Sequence, residues 1–491
     1  MHITIIGAGP GGYETAIAAA ERGIKVTIVS DGPVGGTCLN EGCIPTKTFC
    51  RNAEILENLQ NAPEFGIETG DVKFDFSKAL ERKDAVISQL RSGVEFLLKH
   101  KNITLIYGKA SLKDSNTVTV EKADGECEEI SADYIIIAVG SVSASLPVPG
   151  ADLEGVINST ELLSIDALPK KLCIIGAGVI GLEFASIFKS FGSDVTVVEY
   201  CKDILPRFDA DLAKRLKQSL TKRGIAIETS AQVEGISECT EDGHRLLNVK
   251  YLKKDKEYNI SADKVLMAVG RRPAAHRLNL ADLNIEFSAK GVVTDANMRT
   301  NIPNIFAIGD IRGGMKLAHA AVFEGKRALN AIFADEKAGA IPGTNEFAES
   351  FVKETVDDGI ELEIIPAAVF TYPEAAVVGM TEEDCKAKGV KCKCFKSFFR
   401  ANGKAVAMAE PEGYCKIIVA ENVTDNVADN QETSALIPGQ ILGCHLFGAH
   451  ASDIVQEIAA LMNKKATIED LRNIVHAHPT LTEVLLNAAG N

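Results

Sequence analysis

The chain alternates short apolar runs with helical stretches, in the order strand, turn, helix, strand. Residues 2–6 (HITII) form an apolar run, and Gly7, Gly9 and Gly12 follow as GxGxxG. An Ala-rich helical stretch comes next, and KVTIVSD from Lys25 closes the unit. The pattern returns from Lys170 to Tyr200 (KKLCIIGAGVIGLEFASIFKSFGSDVTVVEY), with Gly176, Gly178 and Gly181 after an apolar strand. An apolar period near 3.6 from Ala79 to Leu98 predicts helix within 51–100, and 103–137 reads as a meander of short strands. Residues 300–311 (TNIPNIFAIGDI) predict a buried strand ending in Gly309 and Asp310. From Pro366 onward, VKCKCFKSFF, YCKIIVA and ILGCHLFG carry strand signals, and a helix is expected from Asp453 to Asn463. Two stretches break the pattern. Residues 336–365 are acidic and irregular, and 421–437 are polar and poor in apolar residues; both read as solvated, insertion-like surface.

The repeated unit carries a chemistry. Glycines at this spacing permit a tight turn, close approach of a pyrophosphate to the backbone, and tight helix–strand packing. The helix N-terminus then stabilises the phosphate charge. Two units predict two dinucleotides, and a flavin with a nicotinamide is the productive pair. Aligned on their glycines, the copies place Ser30 eighteen residues after Gly12 and Glu199 eighteen after Gly181. A carboxylate there accepts hydrogen bonds from ribose hydroxyls and repels a 2′-phosphate, so the second nucleotide is expected to be NAD rather than NADP. In the first copy either Ser30 or the neighbouring Asp31 takes that place. Asp310, at a strand's carboxyl end after Gly309, suits ribityl-type hydroxyls. AVGS and AVGRRP, at Gly140 and Gly270, close the two units as strand-end turns.

Composition narrows the class. A chain of 491 residues with 46% hydrophobic content holds several domains with sizeable cores. A net charge of −15 argues against nucleic acid and anionic membrane surfaces. No apolar run reaches the roughly 20 residues that span a bilayer. A strand beginning almost at Met1 leaves no room for a targeting segment, so a cytoplasmic protein is expected. Twelve cysteines are mostly scattered. Cys385, Cys392 and Cys394 cluster without matching histidines, so free thiols rather than a metal site are expected.

The exception among the cysteines is GGTCLNEGCIPTK, Gly35 to Lys47. Cys38 and Cys43 stand five apart, which in an ideal helix is about 7.5 Å of rise. Disulfide partners need Cα atoms within about 7 Å, so a bridge requires a distorted turn, which Gly42 can supply. Such a locally looped disulfide is easily reduced, and in a reducing compartment it is more often catalytic than structural. Two unlinked buried thiols are the other reading. Lys47, one helical turn past Cys43, would favour a thiolate. Near the end of the chain, His478 precedes Pro479, and Glu483 follows five residues on. A carboxylate that holds an imidazole makes a general base, although a purely structural His–Glu contact fits the same residues. His476 shows no such partner and reads as structural.

Together GAGPGG, GGTCLNEGCIPTK, GAGVIGLE, AVGRRP, IFAIGDI, LAHAA, TYPE and HAHPTLTE make the chain resemble the dihydrolipoamide dehydrogenases, within the flavin-dependent pyridine nucleotide–disulfide oxidoreductases. The resemblance spans almost the full length, and its departures are Ser30, 336–365 and 421–437. It implies an α/β fold with two Rossmann-like dinucleotide-binding domains, for FAD and NAD, plus an α+β C-terminal dimerisation domain. The expected division is 1–147 for FAD and the redox pair, 148–271 for NAD, 272–350 as a return to the FAD or central domain, and 351–491 as the interface domain. Cys38 would be the interchange thiol and Cys43 the flavin-facing thiolate, with Lys47 paired to Glu183. His478, supported by Glu483, would act as base from the partner subunit of a homodimer. FAD would be held by Gly7, Gly9, Gly12, Ser30 or Asp31, Gly36, Thr37, Lys47, Gly108, Gly140, Asp310, Leu317, Ala318 and His319. NAD would be held by Gly176, Gly178, Ile180, Gly181, Glu199, Val233 and Gly270. The implied reaction is oxidation of dihydrolipoamide with reduction of NAD. The implied partner is a lipoyl-bearing acyltransferase or carrier protein of a 2-oxoacid dehydrogenase or glycine cleavage complex. The competing readings are an NADH-dependent reductase of another disulfide or a metal ion, and a mainly structural subunit of a large assembly.

Overall fold

A computed structural model describes residues 1–275, 278–340, 342, 350–421 and 436–490. Its first sheet has five parallel strands in the order Ile305–Ala307, Tyr134–Ile137, His2–Ile6, Lys25–Ser30, Ile103–Tyr107. The central strand carries Ile5 between Ile28 and Ile136, all without solvent exposure. Strands apolar at successive positions are what a sheet buried on both faces demands. Helices Pro10–Glu21 and Ala318–Lys337 pack together on this sheet. The second sheet repeats the plan in the order Ala226–Glu228, Asp194–Val198, Lys171–Ile175, Lys264–Met267, Val156–Ile157. Helix Val179–Ser190 occupies the place that Pro10–Glu21 holds in the first unit. Where the chain passes between the units, Ser141–Ser143 pairs with Arg271–Pro273 as a two-stranded tie.

The meander expected at 103–137 is shorter than its sequence suggests. Ile103–Tyr107 pairs in parallel with Lys25–Ser30, so it extends the first sheet, and Tyr134–Ile137 returns to it. Only Lys109–Leu112, Thr117–Glu121 and Cys127–Ser131 form the antiparallel meander. Helix Phe76–Leu97 acts as the crossover that makes Ile103–Tyr107 parallel, and a short apolar run does not announce its partner.

The C-terminal region is an antiparallel sheet, Ala367–Val369, Glu374–Gly379, Ile441–Gly448, Tyr414–Ala420, Cys392–Phe398, in that spatial order. Its first two strands were not anticipated. Ala451–Asn463 and Glu483–Gly490 pack on it around Ile454, Val455, Ile458 and Leu485. Lys416 enters this core as a buried cation, with Asp209 at 2.7 Å and Asp211 at 3.1 Å, and Glu382 close beside it. Asp209 also caps helix Ala210–Lys222 of the second unit, so one ammonium ties two domains together.

The solvated reading of 336–365 does not hold for its described part. Asp358 takes both arms of Arg327, at 2.8 and 2.9 Å, and the backbone of Val352 and Val356 donates to Asp335 and Asn297. Most of 421–437 lies outside the described residues. No described helix is long and apolar enough to cross a membrane.

Candidate active site

Helix Gly36–Glu41 stops at Gly42, and a second helix, Cys43–Asn61, begins at once. Gly42, at φ −142° and ψ −105°, makes the break, and a Cβ there would sit 3.0 Å from the Thr37 carbonyl oxygen. The break brings the Cys38 and Cys43 thiols into a hydrogen bond; both are free cysteines here. The pair is asymmetric. Cys43 is lowered to about 7, chiefly by the hydrogen bond from Cys38, with Lys47 helping against the opposing effect of burial. The same hydrogen bond, together with burial, drives Cys38 strongly upward. One negative charge on the pair therefore sits on Cys43.

Lys47 lies one turn further along that helix and donates to both Glu183 oxygens, at 3.0 and 3.1 Å. Burial alone would lower its pKa, and Glu183 reverses that, so the ammonium keeps its charge. Glu183 belongs to helix Val179–Ser190 of the second unit. Phe370, from the C-terminal region, completes the group: its ring lies 4.3 Å from the ammonium, and its N–H donates to Glu183 at 2.9 Å. A parallel seam runs beside it, where Arg223 and Ser190 both bond Glu57 of the Cys43–Asn61 helix.

The thiols open into a cavity of about 920 Å³, near the upper end of the usual range for small-molecule sites. Gly7, Gly9, Ser30, Asp31, Gly36, Thr37, Lys47, Gly108, Gly140, Asp310, Leu317, Ala318 and His319 all line it. Gly12 does not: it packs behind, where a Cβ would lie 1.9 Å from the Gly7 carbonyl oxygen. Gly181 repeats this against Gly176, at 2.0 Å. The middle glycines behave differently. A Cβ on Gly9 would approach only Gly36, at 4.0 Å, and one on Gly178 would meet nothing. Both following helices begin without a side-chain cap, which leaves N–H groups facing that open space. Such a cradle fits a pyrophosphate in each unit. The Ser30 hydroxyl donates to the Gly32 carbonyl at 2.8 Å, whereas Asp31 is exposed at the rim.

Asp310 is held by residues that the sequence reading did not single out. The Ser141 hydroxyl donates to it at 2.5 Å, and Arg271 donates to Ser141 through Nε and Nη2, each at 2.7 Å. Glu324 takes the Gly309 N–H and pairs with Arg312, fixing the turn that carries Asp310. AVGS and AVGRRP contained Ser141 and Arg271, but only strand pairing shows that they meet.

Of the residues expected to hold NAD, Ile180 lines the cavity, and the others lie outside it on the second unit. Glu199 is buried and accepts the N–H groups of Ala177 at 2.6 Å and Cys201 at 2.7 Å. Val233 is buried on strand Gln232–Glu241, and Gly270 has φ +120° beside Arg271.

His478 and Glu483 pair at 2.9 Å, and Thr480 N–H donates to Glu483 at 2.8 Å. They do not line the cavity of their own chain, and the His478 side chain is 79% exposed. His476 does have a partner, contrary to the sequence reading: it meets Glu457 at 3.0 Å, nineteen residues away on helix Ala451–Asn463. Cys385 and Cys392 share a hydrogen bond, and burial raises both Cys385 and Cys394 to about 12, so these two thiols resist ionisation.

Residues 1–325 match the family described as "Pyridine nucleotide-disulphide oxidoreductase", and residues 365–428 and 436–489 match its dimerisation domain. The chain belongs to the pyridine nucleotide–disulphide oxidoreductases. It is 37% identical over 487 residues to a dihydrolipoyl dehydrogenase of Bacillus subtilis (strain 168), covering 99% of this chain and 95% of that one. It is 34% identical over 490 residues to the mitochondrial dihydrolipoyl dehydrogenase of Pisum sativum, covering 99% and 90%. Among solved structures it resembles the HOCl-induced flavoprotein disulfide reductase RclA from Escherichia coli. That match has a TM-score of 0.80 and 28% identity, with 100% of this chain and 99% of that one covered. As a member of this family the protein is an NAD-dependent flavoprotein oxidoreductase that uses FAD and NAD.

Proposed function

We propose that this oxidoreductase oxidises dihydrolipoamide, the lipoyl group of a carrier domain, to its cyclic disulfide and reduces NAD. The observation that carries the reading is the polarised Cys38–Cys43 pair beside the Lys47–Glu183 ion pair, in a chain alike over nearly its whole length to dihydrolipoyl dehydrogenases. In the oxidised enzyme Cys38 and Cys43 form a disulfide. A substrate thiol loses its proton to His478 of the partner subunit, since thiolate is the attacking species. The thiolate attacks Cys38 and breaks the Cys38–Cys43 bond, leaving a mixed disulfide and a Cys43 thiolate. The second substrate sulfur then attacks the mixed disulfide and closes the product ring, and Cys38 leaves as thiol. Two electrons now reside on the protein pair. Bound FAD supplies two-electron transfer between this dithiol and the nicotinamide.

Lys47, paired with Glu183, holds a positive charge beside the Cys43 thiolate. The first unit, through Gly7, Gly9, Gly36, Thr37, Gly108, Gly140, Asp310 and 317–319, with Gly12 packed behind them, would hold FAD, and Ser30 or Asp31 would meet its ribose. The second, through Gly176, Gly178, Ile180, Gly181, Glu199, Val233 and Gly270, would hold NAD. The division proposed with this reading is 1–147 for FAD and the redox pair, 148–271 for NAD, 272–350 as a return to the FAD or central domain, and 351–491 as the interface domain.

A homodimer is part of the reading. In a single chain Val475 is 96% exposed and Phe96 exposes 72% of its surface, and His478 stands open beside the former. A second copy would cover these apolar side chains and bring His478 to the Cys38 side of the cavity. A lipoyl-bearing acyltransferase or carrier protein is the expected partner, in the cytoplasm.

Likeness to RclA supports a second reading, reduction of a different disulfide or a metal ion at the expense of NADH. Steady-state assays separate the two. Rapid NAD reduction with dihydrolipoamide is expected; no turnover with it, alongside fast NADH oxidation by another disulfide or by Cu(II), overturns the first reading. His478→Gln should cripple dithiol oxidation and leave NADH-driven reduction of the bound flavin nearly intact.

A further inference from the structure

Lys316 sits on the wall of the cavity, immediately before Leu317, the N-cap of helix Ala318–Lys337. Its ammonium donates to a neutral acceptor, the backbone carbonyl of Arg271. Among the described residues no carboxylate lies within ion-pair distance of it. Two neighbouring cations of this wall do have carboxylate partners. Lys47 is paired with Glu183, and the Arg271 guanidinium stands 4.0 Å from Asp310 with Ser141 bridging them. Asp310 is thus shared between Arg271 and Lys316, and Lys316 has no ion pair of its own among the described residues. The helix beginning at Ala318 adds the positive end of its dipole at the same place, and no side chain caps it. Without pairing to it, Asp310 attracts the ammonium, while Arg207, from the second unit, and Arg271 repel it.

A flavin that accepts two electrons becomes more negative, and charge close to its ring system sets how readily it does so. In a partly enclosed cavity, such a charge acts with far less screening than in water. We propose that Lys316 is an electrostatic control on the bound flavin: its ammonium, hydrogen-bonded to a carbonyl and in no ion pair, favours the reduced form and raises the flavin's potential. The inference rests on reading this cavity as the FAD site.

The test is an equilibrium redox titration of the holoenzyme against a reference dye, followed by flavin absorbance. Cys38 and Cys43 are replaced by serine in every variant, so that flavin is the acceptor observed. Lys316→Met should shift the flavin reduction equilibrium towards the oxidised form by about tenfold, which is about 30 mV for a two-electron couple. Lys316→Arg, which keeps the charge, should stay within twofold of the parent. An unchanged potential in a flavin-replete Lys316→Met protein overturns the proposal, as does an equal fall in Lys316→Arg. A parent protein that binds no flavin would instead overturn the assignment of the cavity.

Discussion

At the scale of the residue, the chemistry turns on the difference between two sulfurs. Cys43 has a donor in Cys38, a cation in Lys47, and a pKa near 7, whereas Cys38 is held protonated. In the reduced enzyme the long-wavelength absorbance of a thiolate beside flavin should therefore grow as pH rises through about 7. Cys43→Ser should abolish that band at every pH. Its survival in Cys43→Ser, with loss in Cys38→Ser, would reverse the two roles. Lys47→Met should move the midpoint upward, because burial then acts on Cys43 without the opposing ammonium. His445 gives a different pH signature. It is buried, with Nε2 meeting the Met380 carbonyl at 2.8 Å, and burial lowers its pKa. The unfolded chain binds a proton that the folded one resists, so stability is whole above the unfolded value of about 6.5 and is lost as pH falls below it. The slope from this one group is up to about 1.4 kcal/mol per pH unit, and thermal unfolding of a His445→Gln variant should lose that part of the acid dependence.

At the scale of the element, the active site is made of helix ends and helix contacts. The Gly42 break turns two short-range neighbours into a touching pair, and helix Val179–Ser190 delivers Glu183 to the helix that carries Lys47. Helix Ala210–Lys222 is fastened to strand Tyr414–Ala420 through Asp209 and Lys416, both 1% exposed. Removing one partner leaves a buried charge alone, which costs about 3–5 kcal/mol. Lys416→Met should accordingly unfold well below the parent in a thermal melt of the holoenzyme. The double variant Lys416→Met, Asp209→Asn should recover part of the loss. Equal melting of Lys416→Met and parent would show that the pair binds the domains only weakly.

At the scale of the whole molecule, the proposed role of His478 as base requires a second chain. His478 is outside the cavity of its own chain, and the His–Glu pair stands on the exposed side of the C-terminal region. If two chains share each site, complementation follows. Cys43→Ser and His478→Gln homodimers are each expected to be nearly inactive in dithiol oxidation. Subunit exchange between them should generate heterodimers in which one of the two sites has both groups intact. Recovery of about a quarter of parental activity is expected from an equal, random mixture. No recovery, with exchange verified by native mass spectrometry, would place the base within one chain.

What the sequence by itself determined is what depends on neighbours along the chain. Two strand–glycine–helix units could be read because a turn that close to a backbone oxygen leaves no space for a Cβ, as Gly12 and Gly181 show. The Cys38–Cys43 stretch and the His478–Glu483 pair were legible because each lies within a few residues. Glu183 could be named as the partner of Lys47 only through resemblance, since 136 residues separate them. Tertiary structure alone decided what meets across such distances. It placed Phe370 on the Lys47–Glu183 pair, Ser141 and Arg271 on Asp310, Glu457 on His476, and the Lys316 ammonium on the Arg271 carbonyl at the cavity wall. It also moved Ile103–Tyr107 from the meander to the main sheet. A hydrogen bond or a charge balance belongs to the packed arrangement, and no periodicity in the chain encodes which distant side chain will arrive to complete it.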